Sequence, residues 1–541
     1  MPESELTTEG RGLESTRGAP VIEPRLWPWA LGLIAIAAAR VAVAAAHPLY
    51  ETEAYYWLWS RRLGLGYFDH PPMLAWAIRL ADFFGPPHSL AARLHALLGH
   101  FLISILLYLL ARNLFGSRRI ALRAALLFNV IPIFSLAAIQ NQPDAPMLLF
   151  WSAALVALER ALTTGRPLWW IAAGLAAGGA MLSKFHAFFF VGCVFLFLLT
   201  AREGRSQLAR PWPWLAFAVA VACYSPNFRW NATHDWMTYD FQFIRSGDGP
   251  EFSISHPIEV LLTPAAYLTP WIYALMLAAG WTAWRRGALG GDRAWALTFW
   301  ASISLFLFFL LLSFTRAIKM HWHAPAWLAL CPAAAVLMEG WRPRRRAWFI
   351  GGAAAFSALI YAYLISTPAP ISPSWPNSIL PRGLRARLID PDEEDRTAKL
   401  FGWNVFGERL REEIAALDAE APTMIVARRF DRAAAAAFYS GMPERAFVLD
   451  PGPEYRQSSR APDPRGFLAW DQPLARSGAN AIYVFVNRRP DRERAEIERL
   501  RESFGEVSDV IELPVAYRGV PWRTWKYVRA RGYRPETKGA R

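Results

Sequence analysis

Charge is scarce in this chain. Only 19% of its 541 residues are Asp, Glu, Lys or Arg, where a soluble domain carries about a quarter. With 54% hydrophobic residues, that deficit excludes an ordinary water-soluble protein along the whole length. The mean hydropathy of +0.16 indicates a membrane part diluted by a polar part. Cysteine is also scarce. Cys193, Cys223 and Cys331 all lie in apolar stretches, with neither metal-ligand spacing nor a disulfide framework, and they read as small core hydrophobes. No secretory signal pattern precedes the first apolar span. The polar C-terminal part has no glycine-rich nucleotide fingerprint. The net charge of +14 is not accompanied by aromatics interleaved with basic residues on a soluble surface, so nucleic acid is not an expected partner.

Apolar spans, in contrast, are abundant. About eleven stretches approach the ~20 residues needed to cross a bilayer, from Leu26–Ala46 to Ala347–Ser366. The expected layout is a cytoplasmic tail over 1–25, a multi-span α-helical domain over 26–366 and a small α/β domain over 367–541. Arg11, Arg17 and Arg25, then Arg112, Arg118 and Arg119, then Arg202, Arg205 and Arg210, then Arg285, Arg286 and Arg293, and Arg342, Arg344, Arg345 and Arg346 alternate with the spans. The positive-inside rule puts these arginine-rich loops and the N-terminus in the cytoplasm. An odd span count then puts the C-terminal domain outside. Thr367–Pro373 reads as its linker. Pro422–Ala427, Ala446–Leu449 and Ala481–Val486 read as strands, and Asp431–Tyr439 and Asp491–Phe504 as helices.

The opposite loops, above all 47–89 and 227–257, hold most membrane-proximal acids, lysines and histidines. Ionisable groups beside a bilayer are costly and tend to mark function. Glu51 and Glu53 flank Thr52; they serve either as solvated first-turn charges of a helix capped by Thr52 or as a general base. Tyr55 and Tyr56 add an aromatic surface. Asp69 can cap the following helix, and Pro71 and Pro72 hold His70 in extended backbone. Asp144, between Pro143 and Pro146, is a helix cap or a site carboxylate. Lys184 either snorkels to the interface or binds an anionic headgroup. His234 and Asp235 open the large loop. Arg316, Lys319, His321 and His323 form a cationic cluster. The two-residue spacing of His321 and His323 leaves a divalent metal conceivable, but phosphate is the better reading and no cofactor is required. Cations for a departing phosphate, a carboxylate for an acceptor hydroxyl and aromatics for prenyl and sugar faces suit transfer from a lipid-linked phosphate.

Glu53-Ala54-Tyr55-Tyr56-Trp57 and Tyr67-Phe68-Asp69-His70-Pro71-Pro72-Met73 resemble the motifs of polytopic family-C glycosyltransferases. The similarity is to the bacterial branch of protein-mannosyltransferase, aminoarabinose-transferase and lipid A galacturonosyltransferase-like enzymes. Pro143-Asp144-Ala145-Pro146, Leu182-Ser183-Lys184-Phe185, Trp230–Trp236 with Phe241-Gln242, and Trp322–Trp327 extend it across roughly Leu26 to Met338. The resemblance implies a polyprenyl-phosphate-linked sugar donor, an envelope acceptor (lipid A, glycan or protein hydroxyl), transfer at the outer face of the plasma (inner) membrane, and inversion at the anomeric carbon. It implies donor-phosphate binding by His70 and Lys184, to which the cationic loop adds Arg316 and Lys319. Asp69, Tyr55, Tyr56, His234, Asp235 and His323 are the expected substrate-binding residues. Many relatives carry aspartate where this chain has Thr52. Threonine cannot act as the base, which leaves Glu53, Glu51 or Asp144, or a changed activity. A transporter or flippase of a lipid-linked glycan is the alternative function, although its site would be expected nearer the bilayer midplane.

Overall fold

The structure is a computed structural model that describes residues 25–83, 89–245, 252–366, 402–449, 477–485, 490–517 and 520–535. The expected tail before Arg25 and the Pro-rich linker lie outside the described residues. Helices α1 (Trp27–Ala46), α2 (Glu51–Arg61), α3 (Met73–Asp82), α4 (Ser89–Phe115), α5 (Arg118–Val130), α6 (Pro132–Ala137), α7 (Asp144–Thr164) and α8 (Pro167–Ser183) form the first half of the bundle. After the 3₁₀ turn Phe185–Ala187 follow α9 (Phe188–Thr200), α10 (Arg202–Leu208), α11 (Pro211–Ala232), the single turn α12 (Met237–Tyr239), α13 (Ser255–Leu268), α14 (Pro270–Ala283), α15 (Arg293–Leu312), α16 (Ala324–Leu337) and α17 (Pro343–Ser366).

Each apolar stretch read from the sequence is helical, but not each is one straight span. Among the described residues, α1, α4, α7 and α15 are long and apolar enough to cross a membrane. Two bent pairs, Phe185–Thr200 with Arg202–Leu208 at 105° and Ser255–Leu268 with Pro270–Leu289 at 118°, raise that number to six. Proline explains two of the breaks. Ile131, before Pro132, is extended and splits the expected Ile120–Ala138 span into α5 and α6. Thr269, before Pro270, has φ 78° and divides α13 from α14. The main apolar core is built from α4, α5, α7, α8, α9 and α14 to α16.

The C-terminal residues form a six-stranded sheet of order β2-β1-β3-β6-β4, with β5 also on β6. Strands β1 (Thr423–Ala427), β2 (Ala446–Val448) and β3 (Asn480–Val484) pair in parallel. The long β6 (Val520–Tyr533) runs antiparallel to β3, β4 (Phe504–Val507) and β5 (Ile511–Tyr517). The first three strands and the helices α19 (Phe430–Ser440) and α20 (Pro490–Ser503) fall where the sequence puts them, whereas β4 to β6 were not anticipated. One face of the sheet, with α18 (Trp403–Asp418) and α19, shares a single apolar cluster with Ala54, Tyr55, Trp57 and Leu58 of α2.

The loop between α2 and α3 is seated on α11, α12 and the turn that follows. Asn227 Nδ2 donates to Leu65 O at 3.2 Å, Thr238 Oγ1 to Tyr67 O at 3.0 Å and Gln242 Nε2 to Asp69 O at 2.6 Å. Gly66 permits that approach: a Cβ there would stand 2.6 Å from both Asn227 Nδ2 and the Trp230 ring. Gly66→Ala should therefore lift the loop from α11 and cost about 1–3 kcal/mol. Thermal unfolding of the variant in detergent measures the loss, and an unchanged transition refutes the contact.

Candidate active site

Asp144 and Lys184 meet at one end of the α7–α8 hairpin. Asp144 is the first residue of α7, with Pro143 before it in the cap position. It caps nothing; its two oxygens instead accept from Lys184 Nζ at 2.8 Å each. Lys184 lies in extended backbone between the end of α8 and the 3₁₀ turn, so the chain bends around it. Its side chain does not snorkel outward. It is 4% exposed, against 13% for the Asp144 side chain.

His70 and the segment before α16 surround this pair. The neighbours acting on His70 include Lys184, Asp144, Lys319 and His321, and those acting on His321 include Lys184, Asp144 and Lys319. The ring of His186 lies 4.8 Å from that of Trp322. Burial, reinforced by the charge on Lys184, pushes His70 down to about 3. Burial and Lys184 push His321 down to about 4, and burial alone does the same for His323. These imidazoles are neutral near pH 7, which makes them hydrogen-bonding groups, while Lys184 and Lys319 carry the positive charge. Lys319 is exposed, and Arg316 is partly buried in the same segment.

The sign of the resulting pH dependence follows. The unfolded chain protonates these histidines below about 6.5, whereas the folded chain resists until about 4 or lower. Their contribution to stability is complete above about pH 6.5 and is lost progressively as pH falls toward 4. Unfolding temperatures measured across that window should decline with acidification, and a flat profile refutes the assignment.

The first-loop glutamates are engaged elsewhere. The helix cap is Tyr50 rather than Thr52, and Glu53 Oε2 accepts from Tyr50 N at 2.9 Å. Arg93 of α4 donates through Nε to Glu53 Oε1 at 2.8 Å and through Nη2 to Oε2 at 2.5 Å. Asn141 N adds a bond to Oε1 at 2.7 Å. Burial opposes ionisation of Glu53, but Arg93 and the two backbone donors outweigh it and hold the carboxyl below its usual range. Glu51 is buried against Arg432 of α19, with Nε to Oε1 at 3.2 Å. Asp69 does not cap α3, which begins at Met73 behind Pro72. It instead hydrogen-bonds the Tyr55 hydroxyl. Tyr55 and Tyr56 are buried, and both pack on Trp59, with centroids 5.1 and 4.9 Å away. Burial comes first, then Asp69 and Asp144, in raising Tyr56 well above the usual phenol value.

Other expected site residues lie outside this cluster of contacts. His323 is buried and its Nε2 is 2.8 Å from the Tyr267 hydroxyl. Trp327 Nε1 donates to the same hydroxyl at 3.0 Å. His234 stacks on Trp230 at 4.1 Å and bonds its carbonyl at 2.8 Å, and Asp235 is exposed with φ 52°. Among the described residues no group of three or more His, Cys, Asp or Glu is arranged to hold a metal ion. Arg93, Asn141 and Arg432 were not anticipated as partners. An arginine near the start of an apolar span was the available sign for Arg93. Arg432, far along the chain from Glu51, gave none.

Comparison with known proteins bears on these loops directly. Residues 69–230 match the family model for dolichyl-phosphate-mannose-protein mannosyltransferase. The lipid A galacturonosyltransferase RgtD of Rhizobium johnstonii is 28% identical over 284 residues, 51% of this chain and 58% of that protein. An undecaprenyl phosphate-alpha-4-amino-4-deoxy-L-arabinose arabinosyl transferase of Pseudomonas fluorescens is 32% identical over 133 residues, 24% of each chain. The matches thus span less than two thirds of these curated relatives. In fold, the apo structure of ArnT from Cupriavidus metallidurans superposes with a TM-score of 0.63 at 18% identity, covering 93% of this chain and 98% of that one. The same protein bound to undecaprenyl phosphate gives 0.59 at 17% identity, with the same coverage. The chain is thus similar in sequence, over part of its length, to protein-mannosyltransferase, lipid A galacturonosyltransferase and aminoarabinose-transferase proteins, and similar in fold to ArnT.

Proposed function

We propose that this protein transfers a sugar from a polyprenyl-phosphate donor to a hydroxyl of an envelope acceptor, with inversion, at the outer face of the inner membrane. The observation that carries the reading is the buried Lys184–Asp144 pair, ringed by His70, His321 and Lys319. Lys184 and Lys319 supply charge, and the neutral imidazoles supply hydrogen bonds, for a phosphate that gains negative charge as it departs. Asp144 holds the Lys184 ammonium in place through both of its oxygens.

A second feature suits the donor's chain. An apolar cavity of about 410 Å³ is lined by Ala173, Gly174 and Ala177 of α8, Phe190 of α9, and Phe217 and Ala220 of α11. Lys184 is not in that lining, but it follows Ala177 by seven residues, about 10 Å of helix. A phosphate at Lys184 with its prenyl chain in this cavity is the natural placement. The arginine-rich loops support an outer site, about eleven spans and an outer C-terminal α/β domain over 367–541. RgtD is named for lipid A as its acceptor, and that relative favours an envelope lipid here.

The test is transfer by purified protein in lipid vesicles. It should form a glycosidic bond when given a polyprenyl-phosphate sugar and an envelope lipid extract, read by mass spectrometry. Movement of the donor across the bilayer without a new bond would instead establish a flippase.

A further inference from the structure

The first half of α1 stands off the bundle. The buried residues of that helix, Arg40, Val43 and Ala44, all lie in its second half. Where the first half passes α4 and α5, it walls a cavity of about 460 Å³ with Trp29, Gly32 and Ile36, opposite Tyr108 of α4 and Leu126 of α5. A Cβ added at Gly32 would meet no atom within 4 Å. Ser104 and Asn129 also line the cavity, but they are engaged with each other and with α1. Asn129 Nδ2 donates to Ser104 Oγ at 2.8 Å, and Asn129 Oδ1 accepts from Arg40 Nη1 at 2.8 Å.

The length and the charge of the cavity point to its occupant. Its lining runs along the chain from Leu26 to Ile36, about 15 Å of helix. That is half of the ~30 Å hydrocarbon core, the reach of an acyl chain from one leaflet. The Leu26 end lies on the arginine-rich side. Arg25, exposed, adjoins Leu26, and Arg112 donates through Nη1 to the Tyr108 hydroxyl at 3.3 Å. Among the described residues neither arginine is paired with a carboxylate. Trp27 and Trp29 are exposed at the same end, where indole rings sit at headgroup level.

We propose that this cavity binds an anionic phospholipid of the leaflet on the arginine-rich side, with one acyl chain between α1, α4 and α5 and its phosphate at Arg112 and Arg25. An apolar slot alone takes any acyl chain; the two arginines add the preference for an anionic headgroup. A guanidinium meets phosphate oxygens through paired N–H donors, and basic pockets between membrane helices hold anionic lipid headgroups. The cavity shares no lining residue with the one beside α8, α9 and α11. The lipid site therefore stands whether or not the protein transfers a sugar.

The experiment uses the full-length protein in detergent, mixed with equal amounts of phosphatidylglycerol and phosphatidylcholine carrying the same acyl chains. Native mass spectrometry reads the lipid retained. Wild type should hold one phosphatidylglycerol per chain in preference to phosphatidylcholine. Arg112→Gln should lower that preference about fivefold. Arg205→Gln, in the arginine-rich α10 away from the cavity, should leave it unchanged. Gly32→Phe places a ring in the cavity and should abolish retention of both lipids. Equal retention of the two lipids by wild type overturns the proposal, as does the same fall in preference in Arg205→Gln as in Arg112→Gln. Unchanged retention in Gly32→Phe also overturns it, and if that variant does not fold, the two arginine variants still decide.

Discussion

Lys184→Met should reduce sugar transfer by at least about 10²-fold, the order of loss seen when one preorganised donor to a developing negative charge is removed. It should also destabilise the protein. Lys184 and Asp144 are both largely buried, and deleting one member of such a pair leaves an uncompensated charge, at a cost of about 3–5 kcal/mol. The two effects are separable. In Lys184→Met/Asp144→Leu the orphaned carboxylate is gone, so most of the stability should return while transfer stays lost. Thermal unfolding in detergent and transfer rates, measured on all three proteins, provide the comparison. If the double variant regains activity together with stability, the pair is a structural brace and the donor phosphate binds elsewhere.

Arg93→Met should give the largest loss of stability that leaves the Lys184–Asp144 pair untouched. The guanidinium donates to the carbonyls of Ala44 at 2.9 Å, His47 at 2.7 Å and Pro48 at 2.9 Å, besides both oxygens of Glu53. It fastens the end of α1, the start of α2 and, through Glu53, the backbone of Asn141. Removing it strands a buried carboxylate and three carbonyls, so about 3–5 kcal/mol should be lost. Arg93→Met/Glu53→Leu should recover part of that, the carbonyls remaining unmet. Glu53→Gln keeps an acceptor for only one of Tyr50 N and Asn141 N, but it retains the side-chain volume and leaves Arg93 on its three carbonyls, so it should be milder. Should Glu53→Gln instead abolish transfer at full stability, Glu53 is a base after all.

The sequence made the residues of the candidate site legible and left their contacts hidden. Asp69, His70, Asp144, Lys184 and Lys319 stood out because polar groups between apolar stretches are expensive, and the structure gathers them around α2, α7 and α8. Lys184 fell within an apolar run, so its position was readable, but its bidentate grip on Asp144 joins two loops that spacing alone could not connect. Glu53 illustrates the reverse. A glutamate beside aromatics at a membrane surface has the right chemistry for a base, and only the tertiary contacts with Arg93 and Asn141 reveal a carboxylate already committed. The helical segments followed from hydropathy. The strands β4 to β6 did not, because their alternating charges, as in Arg529 and Arg531 beside Glu413 and Glu420, obscure the apolar pattern that a half-buried strand would otherwise display.

The apolar cluster shared by α2 and α19 carries a consequence for biosynthesis. Tyr55 packs on Phe430 at 4.5 Å and Trp57 on Phe438 at 4.8 Å, and the Tyr439 hydroxyl donates to Leu49 O at 2.9 Å. The helix that leads into the Asp69–His70 turn therefore lacks half of its packing until residues near 440 have left the ribosome. A nascent chain can insert its early helices into the bilayer, yet its reaction centre stays unfinished until late in synthesis.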